Sequence, residues 1–444
     1  MEQKQLELFY SGKYNELICE LDQMNAVDIA DMLSSLSIPQ VAQIFRMLKK
    51  DVCADIFAEF DSDIQEALIC SMQEQEISHF IDKLAMDDTV DMLEELPANV
   101  VERILKSTSL SRRKEINKFL QYPENSAGSI MTSELVRIKS SMTVSQAVEH
   151  VRSTGIDKET VYVIYVTDAS RRLRGTLELK DLLFASPTER IYNIMDTGVI
   201  FAKTTDKRQT ITDMISKYDL LALPIVDSED RLVGIVTFDD ALDVINDDAT
   251  KDIEKMGAIV PANKPYLKTG VIYTWLQRIP WLLILMLSAS LTGAIITHFE
   301  GSLQRAVVLT AFIPMLMGSG GNAGGQASVT VIRSMSLGEI RMKDFLPVLW
   351  KELRVSLLCG ATLAVAAFAK VFLFDKVGVY VALAVSLTLL ATVIVAKLVG
   401  ASLPILAKRI GLDPAVMASP FITTIVDAIS LAIYFSISTK ILGI

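Results

Sequence analysis

The chain has 444 residues, a net charge of −10 and 51% hydrophobic residues, more than one hydrophobic core accommodates, so several domains are expected. The charge is unevenly placed: 13 Lys/Arg and 7 Asp/Glu lie from Val271 onward and 30 and 46 before it, net charges of +6 and −16. An acidic first half argues against nucleic acid, whose phosphates need clustered Lys/Arg. Cys19, Cys53, Cys70 and Cys359, with no CxxC spacing, argue against a zinc site or a disulfide framework.

Residues 1–125 read as an all-α N-terminal superhelical domain. Leu, Ile and Phe recur at three- and four-residue spacing, and Asp28-Ile-Ala-Asp31-Met-Leu33 is echoed by Asp88-Thr-Val-Asp91-Met-Leu93, with turns near Pro39 and Pro97. Short stacked helices bury such faces between neighbours. The start, Met-Glu-Gln-Lys-Gln, has no apolar signal region, so this half is expected to stay in the cytoplasm.

Near Tyr122-Pro123 the pattern changes to alternating strands and helices in two similar modules, 126–187 and 188–247. Ile130-Met131 matches Ile194-Met195, and Gly175 and Asp181 match Gly234 and Asp240. These landmarks resemble a tandem pair of α/β CBS domains. The resemblance implies that ATP could occupy the pair, with Thr237 and Asp240 at the ribose. The first module carries Glu178 where that threonine stands.

A charged connecting helix is expected over 248–270, with Asp247, Asp248, Asp252 and Glu254 near its start. Beyond it, 271–444 reads as a five-helix transmembrane domain, with apolar runs at about 279–299, 305–333, 346–374, 378–406 and 415–440, each long enough to cross a bilayer. Arg333, Arg341, Lys343, Lys351 and Arg354 crowd the second-to-third connection and Lys408-Arg409 the fourth-to-fifth. The positive-inside rule makes these loops cytoplasmic, which leaves the C-terminus outside. A multidomain, multi-pass cell-membrane protein is the expectation.

Two features break the pattern of lipid-facing helices. The run Pro314-Met-Leu-Met-Gly318-Ser-Gly320-Gly321-Asn322-Ala-Gly324-Gly325-Gln326 suggests irregular backbone inside protein or along a water-filled path; the alternative is a small-residue packing seam. Asn322 and Gln326, four apart, share one face and favour a polar path. The other feature is Asp427, far from any other charge along its span. A carboxylate there faces a pathway or a partner, the alternatives being protonation or a pair with Lys397, which itself is expected to snorkel toward the cytoplasmic surface. Oxygen ligands without intramembrane His, Cys or Glu clusters suit Mg²⁺ or Ca²⁺. A two-fold dimer would bring two Asp427 carboxylates to one divalent ion.

The order of domains, the second-span motif from Pro314 to Gln326, and Asp413-Pro-Ala415 with Pro420, Thr424 and Asp427 in the fifth span resemble the MgtE family of Mg²⁺ transporters. The resemblance implies a homodimer in the bilayer that carries Mg²⁺ as its substrate. Asp427 would hold the hydrated ion, helped by Asn322 and the backbone near Thr423. It also implies Mg²⁺ as a regulatory ligand that closes the pore. The matching positions are Asp55, Asp87 and Asp91 in the N domain, Asp219, Asp240 and Asp243 in the second CBS module, and Asp248 and Asp252 on the connecting helix. Ser419 and Lys251 depart from the family pattern. Without an ion the −16 half repels itself; a bound divalent ion compacts it.

Two other readings stand beside this one. A CBS-regulated secondary transporter of another divalent metal or an organic anion would place a basic residue on the substrate path, where only Lys397 is available. A membrane-tethered enzyme is not expected, because His79, His150 and His298 are isolated and no HExxH, GxSxG or Walker motif occurs.

Overall fold

The computed structural model describes residues 2–156, 158–261, 266–267, 269–417 and 419–443. It divides into two compact units, Met1–Ile245 and Asn246–Ile444.

The first unit begins with helices too short to be stable alone in water. They gain stability by stacking: α1 (Glu2–Tyr10) on α2 (Tyr14–Leu21), α3 (Ala26–Ser34) on α5 (Lys50–Ala58), and α4 (Ile38–Phe45) on α6 (Ser62–Ser71). In the same way α7 (Glu74–Ile81) packs on α9 (Ala98–Ser107), and α8 (Met86–Glu95) on α10 (Leu110–Phe119). The three- and four-residue spacing delivers Leu17, Ile29, Leu33, Ile56, Phe57 and Leu68 to a shared core. Pro39 lies in the first turn of α4 and Pro97 caps α9, where a missing N–H costs nothing.

Two small sheets follow. The first runs β1 (Leu135–Lys139), β2 (Thr160–Thr167) and β3 (Leu173–Glu178), with α11 (Val144–Thr154) between β1 and β2 and α12 (Leu179–Phe184) after β3. After α13 (Ile191–Ile194), the second repeats this with β4 (Ala202–Lys203), α14 (Arg208–Tyr218), β5 (Ala222–Val226), β6 (Leu232–Thr237) and α15 (Phe238–Met256). In each sheet the first pair is parallel and the second antiparallel.

The repeated landmarks have a structural cause. Thr132, next to Met131, exchanges two backbone hydrogen bonds of 2.8 and 2.9 Å with Ile235 of β6; Asp196, next to Met195, exchanges two of 2.9 Å with Thr176 of β3. Each module's leading segment thus crosses the other module's glycine-bearing strand. A Cβ on Gly234 would stand 2.8 Å from the Thr132 carbonyl oxygen, and one on Gly175 2.8 Å from that of Asp196, so both positions admit only glycine.

The helix α15 is continuous from Phe238 to Met256. It ends where Ala258 turns left-handed (φ 55°), rather than running to 270 as the charge pattern suggested; residues 262–265 and 268 lie outside the described residues. Among the described residues five helical segments are long and apolar enough to cross a membrane: Val271–His298, Val307–Ser336, Met342–Phe374, Val379–Arg409 and Pro420–Leu442. Their main helices are α16 (Val271–His298), α18 (Ile313–Ser336), α19 (Phe345–Ala369), α20 (Val379–Arg409) and α21 (Ser419–Leu442), with the short α17 (Glu300–Arg305) after the first. Helices α18, α20 and α21 pack on one another, α19 lies against α20, and α16 touches α21. The Tyr434 hydroxyl donates to the Leu309 carbonyl at 2.9 Å, and Phe299 stacks on Phe435 at 4.8 Å.

Candidate cation pathway and acidic cluster

The glycine run does not break the backbone. α18 is regular from Ile313 to Ser336, and the glycines instead form the packing seam that was the alternative reading. Cβ atoms added at Gly320, Gly321 and Gly324 would meet Thr392, Thr423 and Ile422 at 2.7 to 2.9 Å. At Gly400 of α20 the obstacle is the Gly324 backbone carbonyl itself. With no side chains between them, the helices approach backbone to backbone.

This seam turns the other face of α18 outward. Asn322 and Gln326 are both exposed, as their spacing predicts. With Ser319, Thr362 and Lys397 they line an open cavity of about 540 Å³ against α19 and α20. Lys397 contradicts both expectations made for it. It neither snorkels nor reaches Asp427; it is 6% exposed and its Nζ lies 3.9 Å from Glu352 Oε2 on α19.

Asp427 sits between buried Val426 and Ala428, eight residues into α21, or about 12 Å along its axis. Its Oδ1 is shut off from solvent with no hydrogen-bond partner among the described residues. A buried, unpaired carboxylate oxygen costs free energy until a cation or donor meets it. Thr423, one turn earlier, lies against Gly321 and is not without a partner of its own. The side chain of Ser419 lies outside the described residues. Among the described residues no three Asp, Glu, His or Cys side chains form a ready cation cage.

The acidic cluster of the first unit centres on α8 and the start of α15. Asp240 accepts from the Thr237 hydroxyl at 2.5 Å, and its charge acts on Asp87, Asp88, Asp91 and Glu159 together. Burial, then Asp240, pushes Asp87 up to about 8. Burial and the same neighbour take Asp88 to about 6 and Glu159 to about 7, while burial and Glu94 take Asp91 to about 7. Asp55 is exposed on α5 and is raised by burial and Asp51; it adds to the field on Asp88.

The other expected positions are dispersed. Asp219 is exposed and left-handed at the end of α14 (φ 52°). Asp243 is exposed on α15 and Asp248 half-buried there; both are engaged by neighbours. Asp252 accepts from the Ser336 hydroxyl at 3.2 Å. Asp88 and Glu159 were missed. Asp88 had a signal in its adjacency to Asp87, whereas Glu159 is brought in only by the fold.

Comparison with known proteins gives these features a context. The chain is 33% identical to the magnesium transporter MgtE of Thermus thermophilus over 440 residues, 98% of this chain and 97% of that one. It belongs to the MgtE family. The MgtE of Bacillus subtilis is 31% identical over 97% of this chain and 95% of its own. The family model described as a divalent cation transporter matches residues 313–437, the MgtE intracellular N domain 24–125, and CBS domains 127–187 and 191–247. MgtE proteins are transporters or channels and not enzymes. A crystal structure of the soluble part of a magnesium transporter, 28% identical, matches 56% of this chain and all of that one with a TM-score of 0.54. The cytosolic domain of the Mg²⁺ channel MgtE in complex with ATP, 30% identical, matches 55% of this chain and all of that one at 0.52.

Proposed function

We propose that this MgtE-family chain carries Mg²⁺ across the cell membrane, as its relatives are named for doing, along a pathway beside its second and fifth spans. The observation that carries the reading is the orphaned Oδ1 of Asp427 on a helix long and apolar enough to span a bilayer. Mg²⁺ sheds water reluctantly, so one carboxylate from each of two subunits around a largely hydrated ion suits it. The proposed pathway includes Asn322, whose amide is exposed beside Gln326, and the backbone near Thr423. The exposed polar face of α18 is consistent with a two-fold homodimer.

The acidic half then serves as the sensor, in the cytoplasm by the positive-inside rule, with the C-terminus outside. Its ligands are drawn from Asp55, Asp87, Asp91, Asp219, Asp240, Asp243, Asp248 and Asp252. A divalent ion replaces the protons that crowding forces onto Asp87 and Asp91, and an ion that binds only the compact state shifts the population toward it. ATP belongs at the CBS pair, supported by the ATP complex of the related cytosolic domain and by the Thr237–Asp240 pair here. Proteoliposomes enclosing a Mg²⁺-sensitive dye test the proposal. Mg²⁺ entry is expected, falling as Mg²⁺ rises to millimolar on the side of the acidic half. Entry of Mn²⁺ or an organic anion but not Mg²⁺ would overturn it.

A further inference from the structure

The last turn of α15 is tied to the membrane helices by three side chains on one face, at i, i+3 and i+4. Asp252 accepts from Ser336 at the end of α18. Met256 packs on Ile332 of α18 and on Ala415. Lys255 Nζ lies 2.6 Å from Asp413 Oδ2, and the other oxygen of Asp413 accepts from the Ala415 backbone N–H at 2.9 Å. That second bond fixes the carboxylate at the start of the 3₁₀ turn Pro414–Met417, just before α21. The contacts therefore fall on the ends of the two helices that carry Asn322 and Asp427.

We propose that Lys255 is a tethered cation that latches the connecting helix onto the ends of the second and fifth spans, an autoinhibitory contact that favours the shut pathway without an ion at that point. The latch rests on the transport reading above. A contact made only in the docked state adds to the population of that state. Lys255 and Asp413 are 31% and 39% exposed, so water screens the pair, and its removal is worth about two- to five-fold in that population. The latch tunes closure and leaves the main work to the acidic half.

The test compares full-length wild type with Lys255→Arg, Lys255→Gln, Asp413→Asn and the double Lys255→Gln/Asp413→Asn variant. Asp413→Asn keeps the side-chain oxygen that caps Ala415. In proteoliposomes, the Mg²⁺ concentration that halves influx should rise about two- to five-fold in Lys255→Gln and in Asp413→Asn. It should stay at the wild-type value in Lys255→Arg and rise no further in the double variant. Hydrogen exchange of residues 248–257 in chelator should quicken by a similar factor in Lys255→Gln but not in Lys255→Arg. Unchanged closure in Lys255→Gln, additive effects in the double variant, or equal exchange in the Gln and Arg variants would overturn the latch. A wild-type chain with no Mg²⁺ flux would instead overturn the transport reading, and hydrogen exchange would still decide the latch.

Discussion

Lys397 shows how a single residue is settled by its neighbours rather than by its own type. It stands twelve residues before the end of α20, about 18 Å along the axis, farther than a lysine side chain reaches toward water. Glu352 is the partner available, and its Oε2 has no hydrogen bond among the described residues. Removing one member of such a pair strands the other charge, so Lys397→Met is expected to destabilise the membrane unit by about 3–5 kcal/mol, with most of the loss recovered in Lys397→Met/Glu352→Met. Thermal unfolding midpoints in detergent measure both. Gly400→Ala offers a sharper steric test, because the added methyl meets the Gly324 carbonyl and backbone cannot rotate away. A loss of about 1–3 kcal/mol is expected, and an unchanged midpoint would mean that the seam is looser than described.

Among the elements, α8 carries the consequence most open to measurement. The carboxyls of Asp87, Asp88, Asp91 and Glu159 are raised to between about 6 and about 8 in the folded chain. A carboxyl raised on folding contributes stability below its unfolded value and loses it as pH rises through the folded value. In chelator, the unfolding midpoint of the acidic half should therefore fall as pH climbs from about 4 to about 8. Mg²⁺ should remove most of that slope, and Asp87→Asn should flatten it without Mg²⁺. Calorimetry of the full chain at several pH values reads this, and a flat profile in chelator would contradict the clustering.

The helical N domain and the five spans were legible because apolar spacing reports burial directly. The glycine motif was legible as unusual, but a run such as Gly318 to Gly325 suits both a broken helix and a packed seam; only the fit of Ile422, Thr423 and Thr392 against it decides. The end of α15 was misplaced for a related reason. Lys264 and Lys268 carry the charge pattern beyond Met256 in the sequence, whereas the helix stops where Ala258 turns left-handed. Glu159, just before β2, joins the cluster through the fold although it is far from α8 in sequence, a proximity no local pattern encodes.

Across the whole molecule, the division into a −16 half and a +6 half matches the division of labour proposed here, a sensor in water and a path through lipid. Net repulsion should open the acidic half when divalent ions are absent. Limited proteolysis of the full chain is expected to cut residues 1–245 faster in chelator than in millimolar Mg²⁺; equal rates would contradict the sensor. The proposed pathway itself depends on one carboxylate. Mg²⁺ influx through Asp427→Asn, which keeps the shape and removes the charge, should drop to the level of empty liposomes while the variant retains the wild-type melting midpoint and oligomeric state. Wild-type influx in that variant would contradict the account.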